Sequence, residues 1–108
     1  MHRYIALTQY IATMQYMKAT LIAQAKEVRD VGTIVAIMVW ELAEPLPPCA
    51  HSYKYRLFFG RADECFVRYD NERGKGDHRH VGNEEADYAF TTLEALFADF
   101  ERDVTNWR

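Results

Sequence analysis

Read as apolar and polar positions, the chain is a series of strand-like stretches closed by one helical stretch. Thr33 to Leu42 is the most apolar: Ile34, Val35, Ile37, Met38, Val39 and Trp40 are β-branched, bulky or aromatic residues on both faces. That is the pattern of a central strand covered on two sides. Tyr53 to Gly60 alternates, with Tyr53, Tyr55, Leu57 and Phe59 on one face and Lys54, Arg56 and Phe58 on the other. Glu64 to Asp70 answers it with Cys65, Val67 and Tyr69 against Phe66, Arg68 and Asp70, across the hairpin-length Arg61-Ala62-Asp63. A one-residue slip would set apolar side chains opposite charged ones, so the pattern predicts pairing of 59 with 65, 57 with 67 and 55 with 69. On the reverse face that register sets Phe58 by Phe66, Lys54 by Asp70, and Arg56 directly opposite Arg68. Like charges so placed disfavour the sheet unless an acid such as Asp70, or a bound phosphate, offsets them. Ala19 to Arg29 is shorter and mixed, and Asp30-Val31-Gly32 is a turn signal, which predicts a strand entering a hairpin.

Thr91-Thr92-Leu93-Glu94 has the capping-box form and opens a helix whose Leu93, Leu96, Phe97, Phe100, Val104 and Trp107 make one apolar stripe. The stripe matches the Tyr55, Leu57, Phe59, Cys65, Val67 and Tyr69 face. The expected fold is therefore α+β: an antiparallel meander of about four strands with the C-terminal helix packed on one face. Tyr88-Ala89-Phe90 reads as a short extra strand and Asn83 to Asp87 as an acidic exposed turn. In residues 1–17, Tyr4, Leu7, Ile11 and Met14 fall at helical spacing. An N-terminal helix is one reading; a mis-called start, with Met17-Lys18-Ala19-Thr20 opening the native chain, is the other. Either way residues 18–108 form a single domain and 1–17 an extension. The second face of the central strand needs a cover, from that helix or from a second copy in a homodimer. Pro45, Pro47 and Pro48 make Glu44 to Ser52 an irregular connection, with His51 at its end as a surface residue.

Composition narrows the function classes. The 108 residues suit one domain, and 49% apolar with 27% charged residues is an ordinary soluble balance. A net charge of -3 excludes coating of nucleic acid by global charge, so any such contact is local. Cys49 and Cys65 are too few and too far apart for a zinc knuckle, a redox pair or a secreted disulfide scaffold. Free thiols, the absence of a signal-like apolar start and an apolar run too short to span a bilayer give the expectation of a cytoplasmic chain without a membrane partner.

The chemistry gathers between Tyr69 and His80, in Tyr-Asp-Asn-Glu-Arg-Gly-Lys-Gly-Asp-His-Arg-His. The stretch reads as a polar loop turned by Gly74 and Gly76, returning its histidines to an Arg56, Arg68 and Asp70 group in a partly exposed pocket, with Asp70 bonded to a loop donor. In an extended segment His78 and His80 point the same way, with Cβ atoms roughly 6–7 Å apart. That spacing suits an acid and a base on either side of a phosphodiester, with Arg68, Arg73, Lys75 or Arg79 neutralising the phosphate oxygens. A second reading is a metal held by the His-x-His pair with Asp70 or Asp77, for which no third ligand has a diagnostic spacing. A third is structural, with the histidines bonded to carboxylates to hold the loop closed.

The runs Tyr53-Lys54-Tyr55-Arg56-Leu57-Phe58, Val67-Arg68-Tyr69-Asp70-Asn71 and Gly74-Lys75-Gly76-Asp77-His78-Arg79-His80, with Phe90 before the helix, resemble the TumE family of small bacterial proteins over about Lys18 to Val104. The resemblance implies a toxin-like component of a toxin-antitoxin pair, encoded beside a helix-turn-helix antitoxin, and it picks out Tyr69, Asp70, Asn71, His78 and His80. The expected site then comprises His78, His80, Asp70 and Tyr69 for catalysis and Arg56, Arg68, Asn71, Arg73, Lys75 and Arg79 for substrate. The resemblance implies no settled reaction; the ribonuclease reading of the loop gives the site no metal, no cofactor and RNA as its substrate. A non-catalytic interaction module and a small metal-binding protein stay open beside the ribonuclease.

Overall fold

Alternating side chains and short glycine-bearing turns fold this chain as a meander. The computed structural model describes residues 3–5, 19–29 and 31–108. Six strands, β2 (Ala19–Val28), β3 (Ile34–Leu42), β4 (Tyr53–Arg61), β5 (Glu64–Glu72), β6 (Gly76–Val81) and β7 (Glu84–Asp87), run antiparallel in sequence order, and β1 (Arg3–Ile5) pairs outside β2. The helix α1 (Leu93–Asn106) packs over β5. The architecture is α+β, with six main strands instead of about four. An N-terminal helix is not supported: Arg3–Ile5 is strand, and the rest of residues 1–17 lies outside the described residues.

The additional strands come from the segments read as a polar loop and an acidic turn. Gly74 and Gly76, both at positive φ, turn β5 into β6, and Gly82-Asn83 turns β6 into β7. Tyr88 to Thr92 is irregular, so the extra strand falls at 84–87 rather than 88–90.

The core lies between the sheet and α1. Val39, Tyr55, Leu57, Phe59, Val67 and Tyr69 meet Leu96 and Phe100, with Leu93, Phe97, Val104 and Trp107 packed around them. The helix opens at Thr92, whose hydroxyl accepts from the Ala95 N–H at 3.0 Å. This is one residue later than the Thr91–Glu94 box predicts. Glu94 still sits in the first turn, favourable to the helix dipole. A smaller cluster of Trp40, Leu42 and Leu46 carries the proline-rich connection onto the other face of β3.

The β4–β5 register differs from expectation by two residues. Leu57 pairs with Tyr69 and Phe59 with Val67, then a bulge sets Gly60 against Cys65. Arg56 therefore faces Asp70, and Arg68 faces Phe58. The opposed arginines are not formed, and neither is the pairing of Lys54 with Asp70. The bulge also exchanges two side chains between faces. Phe66 turns into the core, stacked on Trp107 at 5.0 Å and edge-on to Phe59 at 5.6 Å, while Cys65 is left half-buried.

Candidate active site

Pairing across the sheet sets two rows of side chains on the face turned away from α1. One runs Gln24, Met38, Arg56, Asp70, His78, Asp87 and the other Lys26, Ala36, Phe58, Arg68, His80, Glu85. Strands lie about 4.8 Å apart, so each row crosses the whole sheet. Alternation thus collects Arg56, Arg68, Asp70, His78 and His80 on one surface. The adjacent turn adds Lys75.

Arg68 joins this group together. Its Nη2 lies 2.7 Å from His80 Nε2 and its Nε 3.2 Å from Asp70 Oδ2, along its own strand and not through a loop donor. A guanidinium has only protons to offer, so His80 Nε2 presents its lone pair to Arg68. His78 is held in the opposite sense: Nε2 lies 2.9 Å from the Lys75 carbonyl and donates to it. Its Nδ1 is buried, with no hydrogen bond among the described residues, 3.4 Å from Glu85 Oε2. That same oxygen lies 3.1 Å from His80 Nε2 and 2.9 Å from Lys75 Nζ. The Lys75 bond holds the Glu85 carboxyl below its usual range. Glu85 is absent from the expected site. Its signal was the Gly82-Asn83 dipeptide, a two-residue hairpin turn that makes a strand of the acidic residues after it.

Nearby on this face, Arg56 is exposed and lies over the Phe58 ring at 5.4 Å. Lys54 Nζ donates to the Asn71 carbonyl, and burial pushes its ammonium down from the ordinary lysine value. Arg73 is exposed in the β5–β6 turn, away from these contacts.

Three expected residues belong elsewhere. Tyr69 is fully buried on the helix side, its hydroxyl bonded to Asp103, and burial followed by that bond pushes the phenol up to about 12. Arg79 Nε and Nη2 reach the same carboxylate at 2.7 and 3.0 Å. Asn71, also fully buried, accepts from the Tyr55 N–H at 3.0 Å and donates to the Tyr53 carbonyl at 2.6 Å. Its side chain replaces a missing rung of the ladder between β4 and β5. In these positions Tyr69, Arg79 and Asn71 stabilise the sheet–helix unit, separated by the sheet from the histidine pair.

His51, expected at the surface, is largely buried: it stacks on Phe90 at 3.8 Å and its Nε2 lies 2.8 Å from Asp77 Oδ1. Tyr55 donates to the same oxygen at 2.6 Å. Asp77 therefore lies across the sheet from His78 and His80, and the His-x-His set with Asp77 is not assembled. Cys49, His51 and Asp77 do bring ligand atoms within 4.8 Å of one another. Yet the Tyr53 N–H donates to His51 Nδ1 at 3.1 Å, leaving the ring proton on the Nε2 that faces Asp77. A metal-bound histidine is arranged the other way, with a lone pair toward the ion and its other N–H donated outward. The group closes the proline-rich connection onto β4 and β6. Burial pushes the Cys49 thiol up.

A meander with one covering helix, and with His, Arg and Lys side chains on its other face, makes a small α+β domain. The chain matches the family described as Toxin TumE over residues 5–108 and belongs to that family. The match reaches into the segment that the sequence reading set apart as an extension. No curated protein and no solved structure matches the chain. Among the described residues no helix is long and apolar enough to cross a membrane.

Proposed function

We propose that this toxin-family chain cuts single-stranded RNA without a metal, on the sheet face turned away from α1. The observation that carries the reading is the place of one oxygen. Glu85 Oε2 sits among Lys75 Nζ, His80 Nε2 and His78 Nδ1 at 2.9, 3.1 and 3.4 Å, with Arg68 bonded to His80 just beyond. An internal carboxylate thus lies against the Lys75 ammonium and two imidazoles, with the Arg68 guanidinium behind His80. Glu85 is exposed on the outermost strand, and when its side chain turns outward a phosphodiester takes its place beside Lys75 and the two histidines.

In that complex Arg68 turns its Nη2 from His80 to the phosphate, and the His80 Nε2 lone pair so released removes the proton of the 2′-hydroxyl. The 2′ oxygen bonds to phosphorus, Arg68 and Lys75 neutralise the phosphorane, and the bond from phosphorus to the 5′ oxygen breaks as His78, entering as the imidazolium with Nε2–H kept on the Lys75 carbonyl, passes its Nδ1 proton to the leaving group. The products are a 2′,3′-cyclic phosphate and a 5′-hydroxyl, with one proton gained by His80 and one lost by His78. Asp70 holds the Arg68 fork in place. Arg56 engages a neighbouring phosphate.

Purified protein should cleave single-stranded RNA in excess chelator, and His80→Ala should lower the rate roughly 100-fold or more. Cleavage abolished by the chelator would move the chemistry to a metal. A toxin family implies an antitoxin partner. We infer a helix-turn-helix protein encoded nearby, acting with this chain in the cytoplasm; the exposed Glu94 and Glu101 of α1 offer it an acidic surface. Co-expression with the neighbouring gene product tests this, and a chain that stays monomeric beside it excludes the pairing. Toxicity that survives in the His78→Ala, His80→Ala double variant would favour the non-catalytic interaction module.

A further inference from the structure

Beside Arg56 the same face opens into a groove of about 280 Å³ lined by Gln24, Lys26, Ala36, Met38 and Arg56. Its floor is apolar, from Ala36 and Met38, and its rims carry two cations. One detail is out of keeping with a mere surface dip. The Gln24 amide is buried, and among the described residues neither its nitrogen nor its oxygen has a hydrogen-bond partner. Buried side-chain amides are nearly always satisfied, and an unsatisfied one needs an explanation. An amide offers a donor beside an acceptor in one plane, which is the complement of a nucleobase edge.

We infer that this groove binds a nucleobase of single-stranded RNA, adenine by preference, with Gln24 as its specificity-determining residue. Adenine is the base that glutamine recurrently reads, through two parallel hydrogen bonds. Ala36 and Met38 supply the apolar bed for the ring. Phe58 lies in the adjoining row, half-buried under the Arg56 guanidinium, and the next base stacks on its ring once Arg56 turns to a phosphate. Lys26 and Arg56 meet the backbone phosphates. Gln24 and Arg56 are two strands apart, about 10 Å, and Arg56 and His78 two more. The base so held is therefore a few nucleotides from the bond that breaks, on one track with it. The inference rests on the proposed RNA-binding face but not on the reaction there.

The test separates the two. In the His80→Ala background, which removes cleavage from the measurement, labelled octaadenylate, octacytidylate and octauridylate are titrated by fluorescence anisotropy. Octaadenylate should bind about 5-fold or more tighter than octauridylate. Gln24→Met, close in shape, should bring that ratio to near one. Gln24→Glu, which only accepts hydrogen bonds, should shift preference toward octacytidylate. Thermal melts of each variant confirm folding. Equal affinities in the unsubstituted groove, a ratio unchanged by Gln24→Met, or no oligonucleotide binding would each overturn the inference. Adenine preference that depends on Gln24 in a protein without nuclease activity would uphold it while the proposed reaction falls.

Discussion

At the scale of residues, the sheet separates groups that stabilise from the groups of the proposed RNA face. Asp103 is the clearest stabiliser. It is buried on α1 and takes bonds from Tyr69 and from both arms of Arg79. Burial alone would push its carboxyl up, but the bonds from Arg79 and Tyr69 outweigh that and hold it below the usual range. A carboxyl depressed in the folded state binds its proton more readily when unfolded. Its contribution is therefore complete above the unfolded value of about 4 and is lost as pH falls through the lower folded value. Asp103→Asn should destabilise by about 2–3 kcal/mol at neutral pH, since it leaves a guanidinium without its counter-charge. It should also flatten the fall in stability below about pH 4. Urea titrations of both proteins from pH 7 to pH 3 check this, and parallel acid limbs would show that Asp103 is not depressed. His51 gives the opposite lesson for sequence reading. Its role depends on Asp77, 26 residues away, and on a ring contact with Phe90, and no local pattern carries either.

At the scale of elements, strong alternation made β3, β4, β5 and the stripe of α1 readable, because burial on one face leaves its period in the sequence. The hairpin of β6 and β7 was hidden because its stability lies in backbone pairing with β5 and in polar pairs such as His78 with Asp87 and His80 with Glu85. Such residues show no apolar period. Its polar character nevertheless marked the stretch as chemically unusual, which is why Arg68, Asp70, His78 and His80 could be grouped before their strand was recognised. The β4–β5 register failed for a different reason: alternation fixes faces but not a shift by two, and the signal that decides it is Gly60. An isolated glycine within a strand marks a bulge or a close backbone approach. A Cβ at Gly60 would lie 2.2 Å from the Glu64 carbonyl oxygen and 2.9 Å from the Phe58 ring. Gly60→Ala should therefore cost about 1–3 kcal/mol as the hairpin shifts to relieve the overlap. It should also expose Phe66, whose place in the core depends on the bulge. Thermal melting with near-ultraviolet circular dichroism reads both effects, and an unchanged melting temperature would refute the assignment.

At the scale of the whole molecule, net charge and local charge point in different directions. The chain carries -3 overall, so nothing in its global field draws it to a polyanion. Its cations are nevertheless spread along one face: Lys26 on β2, Arg56 on β4, Arg68 on β5 and Lys75 in the turn before β6. If RNA lies along this track, each phosphate met by a cation releases bound counterions. For single strands the logarithm of the binding constant then falls with the logarithm of salt concentration by roughly 0.7 per contact. Four contacts give a slope of about -3. Arg56→Gln should reduce its magnitude by about 0.7, because that guanidinium is exposed and paired mainly with a neighbouring ring. Arg79→Gln provides the comparison. It removes the same charge from the next strand but one, yet Arg79 is bonded to Asp103 on the helix side, so this change should lower stability and leave the slope as it was. Octaadenylate titrations between 50 and 300 mM salt in the non-cleaving background give all three slopes. A slope near zero, or an Arg79 variant that alters it as much as the Arg56 variant does, would remove the RNA track from this face of the sheet.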